Sequence, residues 1–117
     1  MKIIHKNDGI YIPYTLTQNK LKFDGKLTIR LNEYESDEPV HIDISLDKND
    51  VPILGIIPDV SVRYAAEIDI PAREYKTEIT GENILTEGQS DGEPIETSVP
   101  IEFNPDNITL TLWGLEE

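Results

Sequence analysis

Apolar and polar residues alternate with a period of two along most of the chain, a pattern typical of β-strands that bury one face. Residues 40–46 show it clearly, with aliphatic side chains at the even positions. Residues 60–70 form the longest such stretch, in which the residues expected to face inward are Val60, Val62, Tyr64, Ala66, Ile68 and Ile70. Pro71 should end that strand, because proline cannot donate to a sheet ladder.

A first hairpin is predicted at the amino terminus. Asp8 and Gly9 separate residues 2–7 from residues 10–14, and an Asp-Gly pair is a strong hairpin signal because the tight primed turns need residues that tolerate positive φ. A two-residue turn here would pair the two strands so that one shared face carries Ile3, Ile12 and Tyr14.

A second hairpin is predicted around Asp24 and Gly25, between residues 15–23 and 26–31. The apolar residues expected to share its buried face all have odd numbers, namely Leu21, Phe23, Leu27, Ile29 and Leu31. Residues that oppose each other in a hairpin share a face, so the turn must contain an odd number of residues. The sequence therefore predicts a three-residue or bulged turn.

The rest of the chain continues the same pattern. Residues 33–39 and 86–94 read as acidic loops, 51–57 as an irregular crossover or short strand, and 104–107 as a turn, while further strands are expected at 75–80, 95–103 and 108–112. No window has the period of a helix of ordinary length. About eight strands with regular turns predict an all-β fold, an antiparallel β-sandwich with a small β-barrel as the alternative, in a single domain over residues 1–117.

The carboxyl-terminal strand carries apolar residues on both faces. Ile108, Leu110 and Leu112 share one face, so Trp113 and Leu115 fall on the other. Exposed Trp and Tyr side chains are common anchors of protein interfaces, so the candidate partner-binding residues are Trp113, Leu115 and Tyr34. The alternative is that Trp113 folds over the end of the sandwich as core, with Gly114 permitting the bend.

The charge of the chain is −13 and it is unevenly placed. Residues 1–32 contain six basic and two acidic side chains, whereas residues 33–117 contain four basic and twenty-one acidic ones. Nucleic-acid binding needs clustered Lys and Arg, so this balance argues against it. Solubility alone explains such a charge; the sharper hypothesis is that the basic edge of one copy meets an acidic surface of another molecule.

Candidate chemistry is sparse. The chain has no cysteine and two histidines, of which His41 falls on the polar face of a strand and His5 in the first hairpin. Both are expected to be surface residues, and neither a catalytic motif nor a phosphate-binding loop is present. The sequence predicts no enzyme activity, no cofactor and no metal site. Calcium at the acidic loops 35–38, 47–50 or 87–96 is the best ionic hypothesis, and solvated loops are the favoured alternative.

A weak resemblance covers the second half of the chain. The succession YAAEIDIPAREY, an acidic loop and the ending ITLTLWGLEE is similar to small uncharacterised proteins encoded among bacteriophage and prophage structural genes. The matching residues are 64–75 and 108–115. The resemblance implies a virion or assembly role, and it offers no enzymatic residues.

Three functions follow as hypotheses. The first is a non-enzymatic structural or adaptor protein of a phage-like particle that binds other proteins, including copies of itself. The second is an acidic inhibitor that imitates DNA and occupies a host enzyme. The third is a carbohydrate- or calcium-binding module, for which the candidate aromatics are Tyr11, Tyr34 and Trp113. No segment resembles a signal peptide or membrane span, so cytoplasmic synthesis without membrane contact is expected.

Overall fold

The computed structural model describes residues 1–79 and 96–115, and ten strands lie within them. In chain order they are β1 Lys2–His5, β2 Tyr14–Thr17, β3 Lys20–Phe23, β4 Leu27–Arg30, β5 Val40–Leu46, β6 Pro52–Leu54, β7 Arg63–Ile70, β8 Tyr75–Ile79, β9 Glu96–Pro100 and β10 Thr109–Leu112. The helical elements among these residues are the single-turn helix α1 Leu31–Tyr34 and the 3-10 turn Pro105–Asn107.

The strands form three sheets. One has five strands in the order β1-β10-β7-β5-β6, one has the order β2-β3-β4, and β8 pairs with β9. The pairs are antiparallel except for β1 with β10, which is parallel. The all-β prediction is confirmed, with a sandwich-like arrangement, and the described strands do not close into a barrel.

A single hydrophobic core lies between the five-stranded and three-stranded sheets. The three-stranded sheet contributes Leu21, Phe23 and Ile29, and the five-stranded sheet contributes residues such as Ile44, Ile68 and Leu110; all of these side chains are buried. Fully burying each such side chain stabilises the fold by about 1.5–3 kcal/mol. Because residues 80–95 lie outside the described part of the chain, the single domain over residues 1–117 stays a prediction.

The second hairpin has the turn that the parity of its apolar residues predicts. Phe23 pairs with Leu27 and Leu21 pairs with Ile29, so the turn contains three residues. Asp24 and Gly25 both have positive φ, and the Lys26 amide donates to the Phe23 carbonyl over 2.9 Å. One difference is that residues 15–23 are not one strand. Gln18, also at positive φ, begins a two-residue turn that separates β2 from β3.

The predicted first hairpin is wrong. Strand β1 pairs with β10 in parallel, joining Ile3 to Leu110, and does not pair with residues 10–14. Ile10 instead forms an isolated bridge with Leu115, and Ile12 is buried in the core. A parallel pair between the two ends of the chain leaves no local turn signal, so the Asp8-Gly9 pattern pointed to the wrong partner.

A β-bulge overturns part of the predicted inward face of β7. Ile44 pairs with Ala66 and Ser45 with Tyr64, so Ala65 is an extra residue without an opposite partner. One extra residue moves every preceding side chain to the other face of the sheet. Ala66, Ile68 and Ile70 are therefore buried as expected, whereas Tyr64 lies on the outer face. Val60 and Val62 are also exposed, because β7 begins only at Arg63 and the predicted strand 60–70 is three residues too long.

Two other bounds differ: the strand expected at 95–103 ends at Pro100, and the start of the loop expected at 33–39 belongs to α1. Several other predictions in the described part of the chain are confirmed. Strand β5 spans Val40–Leu46, residues 52–54 form the short strand β6, and β7 ends immediately before Pro71. In the final strand Ile108, Leu110 and Leu112 are buried together. The predicted acidic loop 86–94 lies outside the described residues.

Candidate functional site

The outer face of the five-stranded sheet, directed away from the core, gathers six polar or aromatic side chains. We call them the outer-face cluster: His41, Asp43, Tyr64, Glu67, Asp69 and Trp113. The pairing of β5 with β7 sets Asp43 opposite Glu67 and His41 opposite Asp69. Residues two apart on a strand share a face, so these four meet on two adjacent strands, and Tyr64 also belongs to β7.

His41 is held between carboxylates on both sides of its ring. Its Nδ1 lies 2.6 Å from Asp69 Oδ1, and its Nε2 lies 2.8 Å from Asp43 Oδ1 and 3.5 Å from Glu67 Oε1. The hydrogen bond with Asp69, supported by Asp43, raises the pKa of His41, although partial burial opposes the shift. The imidazole is half exposed, so this arrangement is open to solvent.

Neighbouring groups also fix the carboxylates of the outer-face cluster. The Tyr64 hydroxyl donates to Asp43, which lowers the pKa of Asp43. Burial and the neighbouring Asp43 carboxylate in turn raise the pKa of Tyr64. Trp113 Nε1 donates to Glu67 Oε2 over 2.8 Å, and its ring lies 5.3 Å from that of Tyr64. Sequence alone predicted a surface position for His41, which is confirmed, but not this cluster, because the cross-strand register and the bulge create it.

The three predicted partner-binding residues are separated in the structure. Tyr34 and Leu115 are half-buried and pack against the core. Trp113 is half-buried by Tyr64 on the outer face, with Lys6 Nζ 5.8 Å from its ring centre. Their role in binding a partner stays a prediction. Leu115 also lines an open groove with Ile10 and Tyr11, so it keeps an accessible apolar surface.

A more exposed apolar surface lies elsewhere. Six aliphatic side chains in residues 51–62 are 36–62% exposed: Val51, Leu54, Ile56, Ile57, Val60 and Val62. We call this surface the 51–62 patch. It covers the edge strand β6 and the turn that leads to β7, and it carries one charged residue, Asp59. The sequence pattern does not predict this exposed surface, because its alternation places Val60 and Val62 in the core and predicts a crossover or short strand for residues 51–57.

Hydrogen bonds hold the backbone of the 51–62 patch in one conformation. Ser45, which is 1% exposed, donates its hydroxyl to the Gly55 carbonyl over 2.6 Å and lies 2.7 Å from the Ser61 hydroxyl. The Ile57 amide donates to Ser61 Oγ, and the Ser61 amide donates to the Ile57 carbonyl. The exposed aliphatic side chains are thus presented by an ordered turn, which lowers the entropy cost of binding a partner.

Three of the six basic residues of the amino-terminal part lie together on the three-stranded sheet. Its outward face carries three hydroxyl and three basic side chains: Thr15, Thr17, Lys20, Lys22, Thr28 and Arg30. We call this surface the basic face. Within these three strands it contains no carboxylate, so the uneven charge of the sequence becomes a true surface feature.

Two of the candidate calcium loops have their carboxylates engaged by the protein. Arg73 lies 3.4 Å from Glu35 Oε1 and 3.3 Å from Asp37 Oδ1, so one cation already pairs with two of the three carboxylates of the first loop. In the second, Asp47 Oδ1 accepts the amides of Asn49 and Val51, a turn-stabilising role. Most of the third loop, 87–96, lies outside the described residues.

Comparison with known proteins gives no match: no family model, no curated protein and no solved structure matches this chain. Within the described residues, none of the helices has the length and apolar character needed to cross a bilayer.

Proposed function

We propose that this protein is a non-enzymatic structural or adaptor protein that acts through protein–protein contacts, with the 51–62 patch as its main contact surface. The observation that carries the proposal is the exposure of six aliphatic side chains within twelve consecutive residues, on β6 and the connection to β7. Soluble proteins rarely expose such a group together unless another molecule covers it. The resemblance to phage structural genes supports a role in a phage-like particle.

The partner we propose is a second copy of the chain. An apolar surface is complementary to itself, so a two-fold axis can bury the same patch on both copies. The molecule carries a charge of −13, and two copies repel each other least where carboxylates are few. The 51–62 patch meets that condition because Asp59 is its one charged residue.

The contact is expected to use side chains and not an extended sheet. Strand β6 is the last strand of its sheet, so its outer edge is open. However, Pro52 is the first residue of β6 and Pro58 lies in the turn that follows. Proline on an edge strand blocks the addition of another strand, so burial of the aliphatic side chains remains as the source of affinity.

Neither alternative function is favoured by the geometry. A DNA mimic needs open rows of carboxylates, whereas Asp43, Glu67 and Asp69 surround His41. A carbohydrate site needs aromatic rings exposed together, whereas Tyr11 lies against His5 and Trp113 against Tyr64. Tyr34 packs against the core.

Sedimentation velocity tests the proposal. The wild-type protein should form a dimer as its concentration rises, and the double variant Ile56→Asp/Val62→Asp should stay monomeric because it places charges in the contact. The matched control is Ile101→Asp, since Ile101 is 39% exposed and follows β9 of the two-stranded sheet, outside the patch; it should dimerise like the wild type.

Two results would refute this contact. One is a wild-type protein that stays monomeric up to about 1 mM, where even association of about 4 kcal/mol would be visible. The other is a double variant that associates as well as the wild type while its circular dichroism spectrum shows a native fold.

A further inference from the structure

The outer-face cluster contains three side chains whose potential ligand atoms lie close together. They are His41 through Nε2, Asp43 through a carboxylate oxygen and Glu67 through Oε1, and their ligand atoms all lie within 4.8 Å of one another. Two adjacent strands of a sheet supply all three, so the positions of their Cα atoms are fixed by backbone hydrogen bonds.

The spacing of these atoms suits a small divalent ion. His41 Nε2 lies 2.8 Å from Asp43 Oδ1 and 3.5 Å from Glu67 Oε1. Two ligand atoms that each lie about 2.0–2.1 Å from a zinc ion in a tetrahedral site are about 3.4 Å apart. Small rotations of exposed side chains would therefore bring all three atoms to bonding distance.

Each of the three potential ligands is oriented by a different neighbour. Asp69 accepts from Nδ1 of His41, which leaves Nε2 to face the two other ligands. Tyr64 donates to Asp43, and Trp113 donates to Oε2 of Glu67, which leaves Oε1 facing His41. A carboxylate behind the histidine and hydrogen bonds to the ligating carboxylates are the usual supports of protein metal sites.

We propose that His41, Asp43 and Glu67 bind one divalent transition-metal ion of the zinc class. The donor set of one imidazole and two carboxylates favours such ions over calcium, which takes oxygen ligands alone. The ion would take the place of the proton between His41 and Asp43, and solvent would complete its coordination because the face is open. The site goes beyond the proposed contact function and is independent of the 51–62 patch.

The test is calorimetric titration of zinc chloride into protein that has been dialysed against a chelator. We expect saturable binding of one ion per chain. His41→Ala should weaken binding at least about tenfold, because it removes a ligand. The matched control His5→Ala removes the other histidine of the chain and should leave affinity unchanged.

A second measurement separates ligation from folding. Trp113 is the one tryptophan of the chain and is bonded to Glu67, so zinc binding should change its fluorescence. Asp69→Asn, which keeps the size of the side chain but weakens the support of His41, should lower zinc affinity about 10–100-fold. Circular dichroism monitors the fold of each variant.

The proposal is overturned by any of three results. These are no saturable zinc binding, binding that is lost in His5→Ala, or full binding in a folded Asp69→Asn, Glu67→Gln or His41→Ala variant. Calcium chloride serves as a further probe, and tighter binding of calcium than of zinc at the same residues would also contradict the class of ion.

Discussion

The outer-face cluster and the 51–62 patch are both exposed surfaces of the five-stranded sheet and its connections, yet they differ in how their side chains are satisfied. In the outer-face cluster every polar group named above has a partner within the chain, and Tyr64 and Trp113 donate hydrogen bonds to two of the carboxylates. In the 51–62 patch the backbone is satisfied by Ser45 and Ser61, but the aliphatic side chains face solvent. The first surface pairs its polar groups within the chain, whereas the second leaves aliphatic side chains in solvent, which is the basis of the proposed contact.

The largest expected loss of stability comes from a substitution at Gly114, which follows Trp113 of the outer-face cluster. A Cβ on Gly114 would lie 2.5 Å from the Asp8 carbonyl oxygen, a contact between two backbone segments that cannot simply rotate away. Gly114→Ala should lower the free energy of unfolding by about 3 kcal/mol. Chemical denaturation measures this.

The control for that variant is Gly25→Ala. Gly25 has a φ of 65° and nothing within 4 Å of the added Cβ. The free energy of unfolding of Gly25→Ala should fall only by the cost of the left-handed conformation, about 1–2 kcal/mol. Equal losses in the two variants would contradict the close approach at Gly114.

The next largest loss of stability is expected at Ser45, whose hydrogen bonds hold the backbone of the 51–62 patch. Ser45→Ala removes the donor to the Gly55 carbonyl and the partner of Ser61 in a nearly buried position. The free energy of unfolding should fall by about 2 kcal/mol, and hydrogen exchange of the amides of residues 55–61 should accelerate. Ser98→Ala, at an exposed position of β9, is the control and should change neither quantity.

A charge placed in the patch should leave stability almost unchanged. Ile56 and Val62 are about 60% exposed, so little burial is lost when either becomes Asp. The free energy of unfolding of Ile56→Asp/Val62→Asp, measured at a concentration where the wild type is monomeric, should stay within about 1 kcal/mol of the wild-type value. A larger loss would mean that these side chains belong to the core of the monomer.

The smallest effect is on the titration of His41 in metal-free protein. The pKa of His41 should lie above its ordinary value of 6.5, because Asp69 and Asp43 favour the imidazolium. The contribution of the paired imidazolium of His41 to folding stability is therefore fully present below pH 6.5. It is lost as the pH rises through the folded-state pKa of His41. An NMR titration in chelator should give a lower His41 pKa in Asp69→Asn than in the wild type, and an unchanged pKa would contradict the hydrogen bond.

Local sequence patterns predicted the positions of most strands, but they did not predict which distant strands pair with each other. The odd parity of Leu21, Phe23 and Ile29 was enough to predict a three-residue turn, because a hairpin relates neighbouring residues. The parallel pairing of β1 with β10 and the extra residue Ala65 leave no such signal.

The two surfaces were harder to predict than the strands for the same reason. The outer-face cluster depends on the register between β5 and β7, which the sequence does not state. The 51–62 patch depends on where β7 begins: Val60 and Val62 precede Arg63, outside the strand, and both face solvent. Apolar content alone could not distinguish a strand that buries Val60 and Val62 from a turn that displays them.

Salt dependence separates the 51–62 patch from the basic face as a contact surface. Added salt screens charges, so an association between the basic face and acidic surfaces should weaken as sodium chloride is raised. An association through the apolar patch of a chain with charge −13 should instead hold or strengthen, because salt reduces the repulsion between copies. Sedimentation equilibrium at low and high salt measures the difference.

The most direct measurement is a dilution series of amide NMR spectra, which reports on both surfaces residue by residue. A contact between copies through the 51–62 patch predicts that signals of residues 51–62 shift with protein concentration, while those of His41, Glu67 and Asp69 stay fixed. Spectra that do not change with concentration, or shifts confined to the basic face of β2, β3 and β4, would contradict it.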